Sequence, residues 1–376
     1  MSKKIVFLTG TRADFGKLKS LIEVVIKEPE LEAHIFATGM HMNSKYGKTV
    51  DEIRKCGYTN IFSYINHHDY DSMDTILAKT IDGFSGYVKE LNPDLIVIHG
   101  DRVEALAGAI VGALNNILVA HIEGGEVSGT IDELVRHAVS KMSHVHFVAN
   151  SIAKNRLIQM GELPQTIFEI GSPDVDVMLS DKLPSIEKVK EYYEIPFDKY
   201  SVVMFHPVTT EIDQIFDQAD RLVEALIESN KNYVIVYPNN DMGNDYILRS
   251  YKKLQNNNRF LIFPSLRFEY FLILLKYSEF IIGNSSAGIR EAPYYGIPTI
   301  NIGTRQNNRS VTKDIINVDY SKDEILNAIH QANNVKLTPI NHYGDGKSDI
   351  LFINELKKEF FWKISKQKFF NDQLTA

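Results

Sequence analysis

The sequence predicts an α/β protein of two doubly wound, parallel-sheet domains facing one another. Three observations lead to that expectation. Short β-branched or aromatic runs, each closed by Gly, Pro or a polar cluster, alternate with amphipathic stretches along most of the chain. Strands so uniformly apolar are covered on both faces, as in parallel sheets flanked by helices. The chain has 376 residues, enough for two domains at roughly 100–200 residues each. The alternation pauses at "LSDKLPSIEKVKEYYEIPFDKY", residues 179–200, a polar, Pro-containing stretch that reads as a domain boundary.

In the first half the strands are "KIVFLTG", "EAHIFATG", "DLIVIHG", "ILVAHIEGG", "HVHFVAN" and "TIFEIG". In the second they are "YSVVMFHP", "NYVIVYP", "RFLIFP", "FIIGNSS", "PTINIG" and "DIINV". The tail "LFINELKKEFFWKISKQKFF" places Phe352, Leu356, Phe360 and Ile364 at helical spacing, so it reads as a terminal helix packed on the body rather than a membrane-surface helix. The expected divisions are residues 1–178, 179–355 and 356–376. In doubly wound sheets ligands bind beyond the carboxyl ends of the strands, which directs attention to the residues following each strand.

Composition excludes several classes. Apolar residues make up 44% and charged residues 24%, an ordinary globular mixture. A net charge of −7 gives no electrostatic support to a nucleic-acid or membrane partner. The single cysteine, Cys56, permits neither an intrachain disulfide nor a cysteine metal cluster and suits a reducing compartment. The apolar run in "MSKKIVFLTG" is too short for a signal peptide or a membrane span, so a cytoplasmic location is expected.

Two segments could hold a phosphate. "TGTRADFGKL" nearly matches two nucleotide motifs and fails both: five residues rather than four separate Gly10 from Gly16, Leu18 follows Lys17, and no acid follows the second strand. What remains is a loop opening a helix, with Arg12 available to an anion. "FIIGNSSAGIREAPYYGIP" is stronger. After a strand, small residues would let backbone N–H groups approach a diphosphate, Ser285 and Ser286 add hydroxyls, and a helix start adds its dipole. Glu291, about one and a half turns into that helix, could accept both ribose hydroxyls. Arg305, after the next strand, could reach the same anion. The competing reading is that the serines merely cap the helix.

"HIEGGEVSGTIDELVRH", residues 121–137, gathers four carboxylates, two histidines and an arginine just past a strand. Asp101 and Arg102 follow "DLIVIHG", Glu123 follows "ILVAHI", Asp132 opens a helix, and His206 follows "YSVVMF". An acid after a strand is usually a cap or an ion-pair partner; four titratable groups at such ends point toward chemistry. The twelve histidines invite a metal reading. "HHDYD" and "HVH" are close pairs, but no His-Glu-x-x-His spacing exists, and His144 and His146 share a strand face where satisfied burial is expected. Neither a metal nor a cofactor is expected.

"GDRVEALAGA", "HIEGGEVSGTIDELVRH", "FHPVTT", "GNSSAGIREAP" and "GTRQ" together strongly resemble the hydrolysing UDP-N-acetylglucosamine 2-epimerases of bacterial sialic acid synthesis, and the epimerase half of the animal bifunctional epimerase/kinase. The likeness runs from "TGTRADFGK" to "YGDG" at residues 343–346. It implies two facing Rossmann-like domains of the glycosyltransferase-B kind with a UDP-sugar in the cleft, no cofactor, and a homo-oligomer, dimer or tetramer. By matching motifs it places Asp101, Glu123, Asp132 and His206 on catalytic positions, and Arg12, Arg102, Asn239, Ser285, Ser286, Glu291 and Arg305 on UDP-binding ones. "FHPVTT" stands where the non-hydrolysing branch has His-Arg-Arg, and Asp132 where that branch has Glu. The implied reaction eliminates UDP through a 2-acetamidoglucal and hydrates it to free N-acetylmannosamine. Alternatives are the same reaction on a UDP-2,4-diacetamido-2,4,6-trideoxyhexose of legionaminic acid synthesis, a glycosyltransferase of the same fold, or a non-catalytic UDP-sugar sensor.

Overall fold

The computed structural model describes residues 2–68, 71–128, 130–306, 314–333, 335 and 337–371. Two compact units emerge. The first comprises residues 1–126, 132–180 and 342–376, the second residues 127–131 and 181–341.

The first unit holds a seven-stranded parallel sheet of β1 (Lys3–Thr9), β2 (Leu31–Ala37), β3 (Ile61–Ser63), β4 (Leu95–His99), β5 (Leu118–Ile122), β6 (Val145–Val148) and β7 (Ile167–Glu169), in the order β3-β2-β1-β4-β5-β6-β7. The second holds six parallel strands, β8 (Ser201–Met204), β9 (Tyr233–Val236), β10 (Phe260–Phe263), β11 (Ile281–Gly283), β12 (Thr299–Ile302) and β13 (Ile316–Val318), ordered β10-β9-β8-β11-β12-β13. In both, strand order reverses at the first strand of the unit. The switch points lie between β1 and β4 and between β8 and β11, where open α/β sheets bind ligands.

All twelve expected strands are present. The one not anticipated, β3, is three residues long, incompletely buried and at the sheet edge, so it lacks the continuous apolar run that marks its neighbours. The central strands are fully buried because helices cover them. Ile5, Phe7, Val97 and Ala120 pack with Phe15, Leu18, Ile22 and Phe352 in the first core. Val203, Ile235, Ile282 and Ile300 pack with Leu222, Val223 and Ile329 in the second.

The expected division at residue 355 is corrected: the chain returns to the first unit at His342. The Ser172 N–H donates to the Tyr343 carbonyl (2.7 Å). Asp176 accepts the first N–H groups of the helix Ser348–Leu356, from Ser348 (2.8 Å) and Asp349 (2.9 Å), and the Ser20 hydroxyl (3.1 Å). The tail is not one helix either. That helix stops at Leu356, Lys358 is extended, and a single turn follows at Glu359–Trp362. The break rotates the register by one residue, so Phe361 is buried and Phe360 is half exposed, while Phe352, Leu356 and Ile364 remain in the core. Residues 372–376 of the expected tail lie outside the described residues.

Candidate active site

The loop after β1 is built around Asp14. Thr11 caps the helix Arg12–Ile26 in a reciprocal capping box with Asp14. The same carboxylate accepts the N–H of Gly10 (2.9 Å) and Thr11 (3.0 Å) and the Thr9 hydroxyl (2.6 Å). The donors a phosphate would need are therefore engaged by an internal anion, the physical reason this loop is not a nucleotide motif. Arg12 opens the helix, and Lys17 is buried on its inner face.

The acids of the first unit stand at the carboxyl ends of β4 and β5. Gly100 takes a positive φ, and Asp101 and Arg102 follow, Arg102 in the N-cap position of the helix Val103–Leu114. Arg102 donates its Nε–H to buried Glu104 (3.1 Å). His121, fully buried on β5, faces the Gly100 carbonyl through Nε2 (2.8 Å) and the Ser140 hydroxyl through Nδ1 (3.1 Å). Because a carbonyl only accepts, Nε2 carries the proton, and burial holds the ring's pKa down at about 3.

Glu123 is itself left-handed, with φ 66°, an uncommon conformation for a side-chain-bearing residue that costs on the order of 1 kcal/mol and is typical of functional sites. Arg136, buried in the helix Ile131–Met142, secures it. One guanidinium nitrogen donates to the Glu123 carbonyl (2.8 Å) and another pairs with the Asp101 carboxylate. Asp132 lies one turn before Arg136 on that helix, on the same face. The Glu123 carboxylate is itself buried: Oε1 accepts the Ser172 hydroxyl (3.1 Å) and faces His99 Nε2 (3.3 Å) and Lys17 Nζ (3.6 Å). Lys17 also faces buried Asp174 (3.3 Å).

The second unit gathers His206, Asn239, Ser285 and Arg305 around one buried residue that sequence reading missed. Asn284 accepts the His206 N–H (2.7 Å) and donates to the His206 carbonyl (2.9 Å). Its own carbonyl accepts from Arg305 (3.3 Å) and Gln306 (2.8 Å). The Asn239 N–H donates to His206 Nδ1 (3.0 Å), which leaves Nε2 to carry the proton of a neutral ring. A polar residue after "IIG" was a visible signal; its two-sided grip on His206 was not.

The expected helix start at Ser285–Ser286 is corrected. Ser285 caps a three-residue 3-10 turn, Ser286–Gly288, accepting the Ala287 N–H (3.3 Å). Glu291 begins a separate four-residue helix rather than lying inside a long one, and it is buried. Turns this short add little dipole, so anion binding here falls to backbone N–H groups, hydroxyls and Arg305. Close approach comes from Gly283, whose φ of 135° and contact with the Met204 backbone exclude a side chain. Gly283→Ala is expected to destabilise the protein by on the order of 3 kcal/mol, visible as an earlier melting transition in calorimetry.

Among the described residues, no group of three or more His, Cys, Asp or Glu is arranged to hold a metal, and no helix is long and apolar enough to cross a membrane. His144 meets the Val119 N–H (3.1 Å) and the Lys366 carbonyl (3.1 Å), and His146 meets Glu162 (3.0 Å): satisfied burial, as the strand pattern suggested. Asp69 and Tyr70 of "HHDYD", Gly129 of the acid-rich segment and residues 307–309 after "GTRQ" lie outside the described residues.

Fold and buried charge together define a two-domain, parallel-sheet α/β enzyme. The UDP-N-acetylglucosamine 2-epimerase family model matches residues 24–357, and the chain belongs to that family. It is 48% identical over 374 residues to the UDP-N-acetylglucosamine 2-epimerase of Neisseria meningitidis serogroup B, covering 98% of this chain and 99% of that one. It is 36% identical to the hydrolysing UDP-N,N'-diacetylbacillosamine 2-epimerase of Legionella pneumophila, covering 93% and 94%. The solved Methanocaldococcus jannaschii UDP-GlcNAc 2-epimerase, in complex with UDP-GlcNAc and UDP, matches with a TM-score of 0.81 at 24% identity, covering 94% and 99%, a likeness of fold.

Proposed function

We propose that the chain is a hydrolysing epimerase that converts UDP-N-acetylglucosamine to UDP and free N-acetylmannosamine, the opening step of sialic acid synthesis. The observation that supports it most is the buried charged centre of Glu123, Lys17, Asp174, Asp101 and Arg136. Folding does not gather such groups for stability, because desolvating them costs more than most pairs return. The likeness to relatives named as hydrolysing and as a polysialic acid biosynthesis protein, the latter 33% identical, favours release of the free sugar.

The C2 proton is too weakly acidic for a carboxylate alone. As the C1–O bond breaks, its electron pair leaves with UDP, and the growing positive charge at C1 acidifies C2. We assign the departing diphosphate to Ser285, Ser286 and Arg305, with Arg12 and Arg102 as further cations, and the nucleoside to Asn239 and Glu291. Glu123 takes the C2 proton. Asp101, anchored by Arg136, supports the charge at C1 and orients the incoming water. His206 protonates or screens the leaving phosphate, and Asp132 returns a proton to C2. Water adds hydroxyl at C1, so the atoms of substrate and water balance those of UDP and product.

Turnover in heavy water tests the reading. One deuterium at C2 of released N-acetylmannosamine is expected. Product without it, or a UDP-linked product, removes the proposal; transfer to an acceptor with C2 untouched would mark a glycosyltransferase. Preference for UDP-2,4-diacetamido-2,4,6-trideoxyhexose over UDP-N-acetylglucosamine would move the enzyme to the other sugar.

A further inference from the structure

We infer that Asp174 is a positioning residue that keeps Glu123 able to accept a proton, by taking a share of the Lys17 ammonium. This rests on the reading of Glu123 as the base.

Lys17 is almost wholly buried between two carboxylates, 3.3 Å from Asp174 and 3.6 Å from Glu123, each more than nine-tenths buried. With Lys17 alone beside it, Glu123 would be half of a closed ion pair, and protonating it would leave the ammonium unpaired in a dry site. Asp174 changes the count. One ammonium and two carboxylates leave a single net negative charge, so Glu123 binds a proton without stranding Lys17. The other groups facing Glu123 do not supply this charge. His99 Nε2 (3.3 Å) and the Ser172 hydroxyl (3.1 Å) meet Oε1, while Arg136 is engaged by the Glu123 carbonyl and by Asp101. The chain supplies Asp174 locally: it is the second residue of the short helix Pro173–Met178, two positions beyond Ser172. One short segment thus delivers both the hydroxyl that orients Glu123 and the anion that balances Lys17.

The test is the pH dependence of kcat for wild type, Asp174→Asn, Lys17→Met and the double variant, with circular dichroism and UDP affinity measured alongside. Asp174→Asn is expected to lower kcat at neutral pH about tenfold or more and to move the acidic limb of the profile down by about one pH unit, because Lys17 then binds Glu123 undivided. Lys17→Met is expected to move the limb up. The double variant restores the single negative charge and is expected to return it close to wild type, and Asp174→Glu to retain most activity.

Loss of activity in Asp174→Asn with the limb unmoved, or a double variant whose limb does not return, overturns the inference. If Asp174→Asn does not fold, the comparison of Lys17→Met with the double variant decides the same question. If Glu123→Gln turns over at the wild-type rate, the reading of Glu123 itself is wrong; if Glu123→Gln is inactive while Asp174→Asn keeps the wild-type profile, only the inference about Asp174 falls.

Discussion

Arg136→Met is expected to lower kcat by about a hundredfold to a thousandfold while leaving UDP affinity within a few fold. The guanidinium is only 2% exposed and holds both an acid and the backbone of another: it pairs with Asp101 and receives the Glu123 carbonyl at 2.8 Å. Methionine fills the space but removes both contacts. Asp101 is left without this cation, and the left-handed Glu123 loses the bond that fixes its direction. Displacement of a reacting group by about an ångström is enough for an effect of this size. A stability loss of roughly 3 kcal/mol is expected as well, at the low end for a broken buried pair because Asp101 keeps 23% of its side chain in water. Arg136→Lys restores the charge but not the two-armed geometry, so only partial recovery is expected. Steady-state kinetics and UDP titration check this. A wild-type kcat, or a loss of UDP binding in step with kcat, would remove Arg136 from its assigned place.

Acid is expected to destabilise the first unit well before its carboxylates titrate. Burial holds His41 at about 4 and His121 at about 3, against an ordinary value of 6.5. In the unfolded chain both bind protons near 6.5, so their stabilising effect is complete above that pH and is lost as pH falls from 6.5 toward 4. Asp176 works in the opposite sense. Burial raises it to about 6, against the pull of the Ser348 and Asp349 N–H groups, so below pH 6 the folded state gains protons and stability. Two histidines against one aspartate leave a net loss on the order of 2–3 kcal/mol between pH 7.5 and pH 5. Calorimetry at the two pH values should show the first unit melting earlier at pH 5, His121→Asn flattening the dependence and Asp176→Asn steepening it. A pH-independent transition would show that these rings titrate normally.

Much of the protein was legible in its sequence. Each strand but β3 announced itself by an apolar run ending at Gly, Pro or a polar cluster, because a strand buried on both faces has no polar alternative. Asp101, Glu123, Asp132 and His206 were legible for a related reason: a titratable residue just past such a run is placed by local chain geometry at the ligand-binding edge of the sheet. Misreadings arose where short-range signals compete. "GNSSAGIREAP" looks like a helix start, yet Ser285 closes a single 3-10 turn and the helix begins afresh at Glu291. The tail has helical spacing, yet one extended residue at Lys358 puts Phe361 rather than Phe360 in the core.

The sequence by itself determined two parallel sheets, their strand ends and the acids carried there, since these depend on patterns a few residues long. Only the tertiary structure decided which partners those acids received. Lys17 and Asp174 belong to segments on either side of Glu123 in the chain, and Asn284 reaches His206 from a different strand end. The chain's return at His342 to the first unit was decided there too, by Asp176 accepting the N–H groups of a helix far downstream. A buried charge takes whichever partner packing brings within reach, and that choice leaves no periodic trace along the chain.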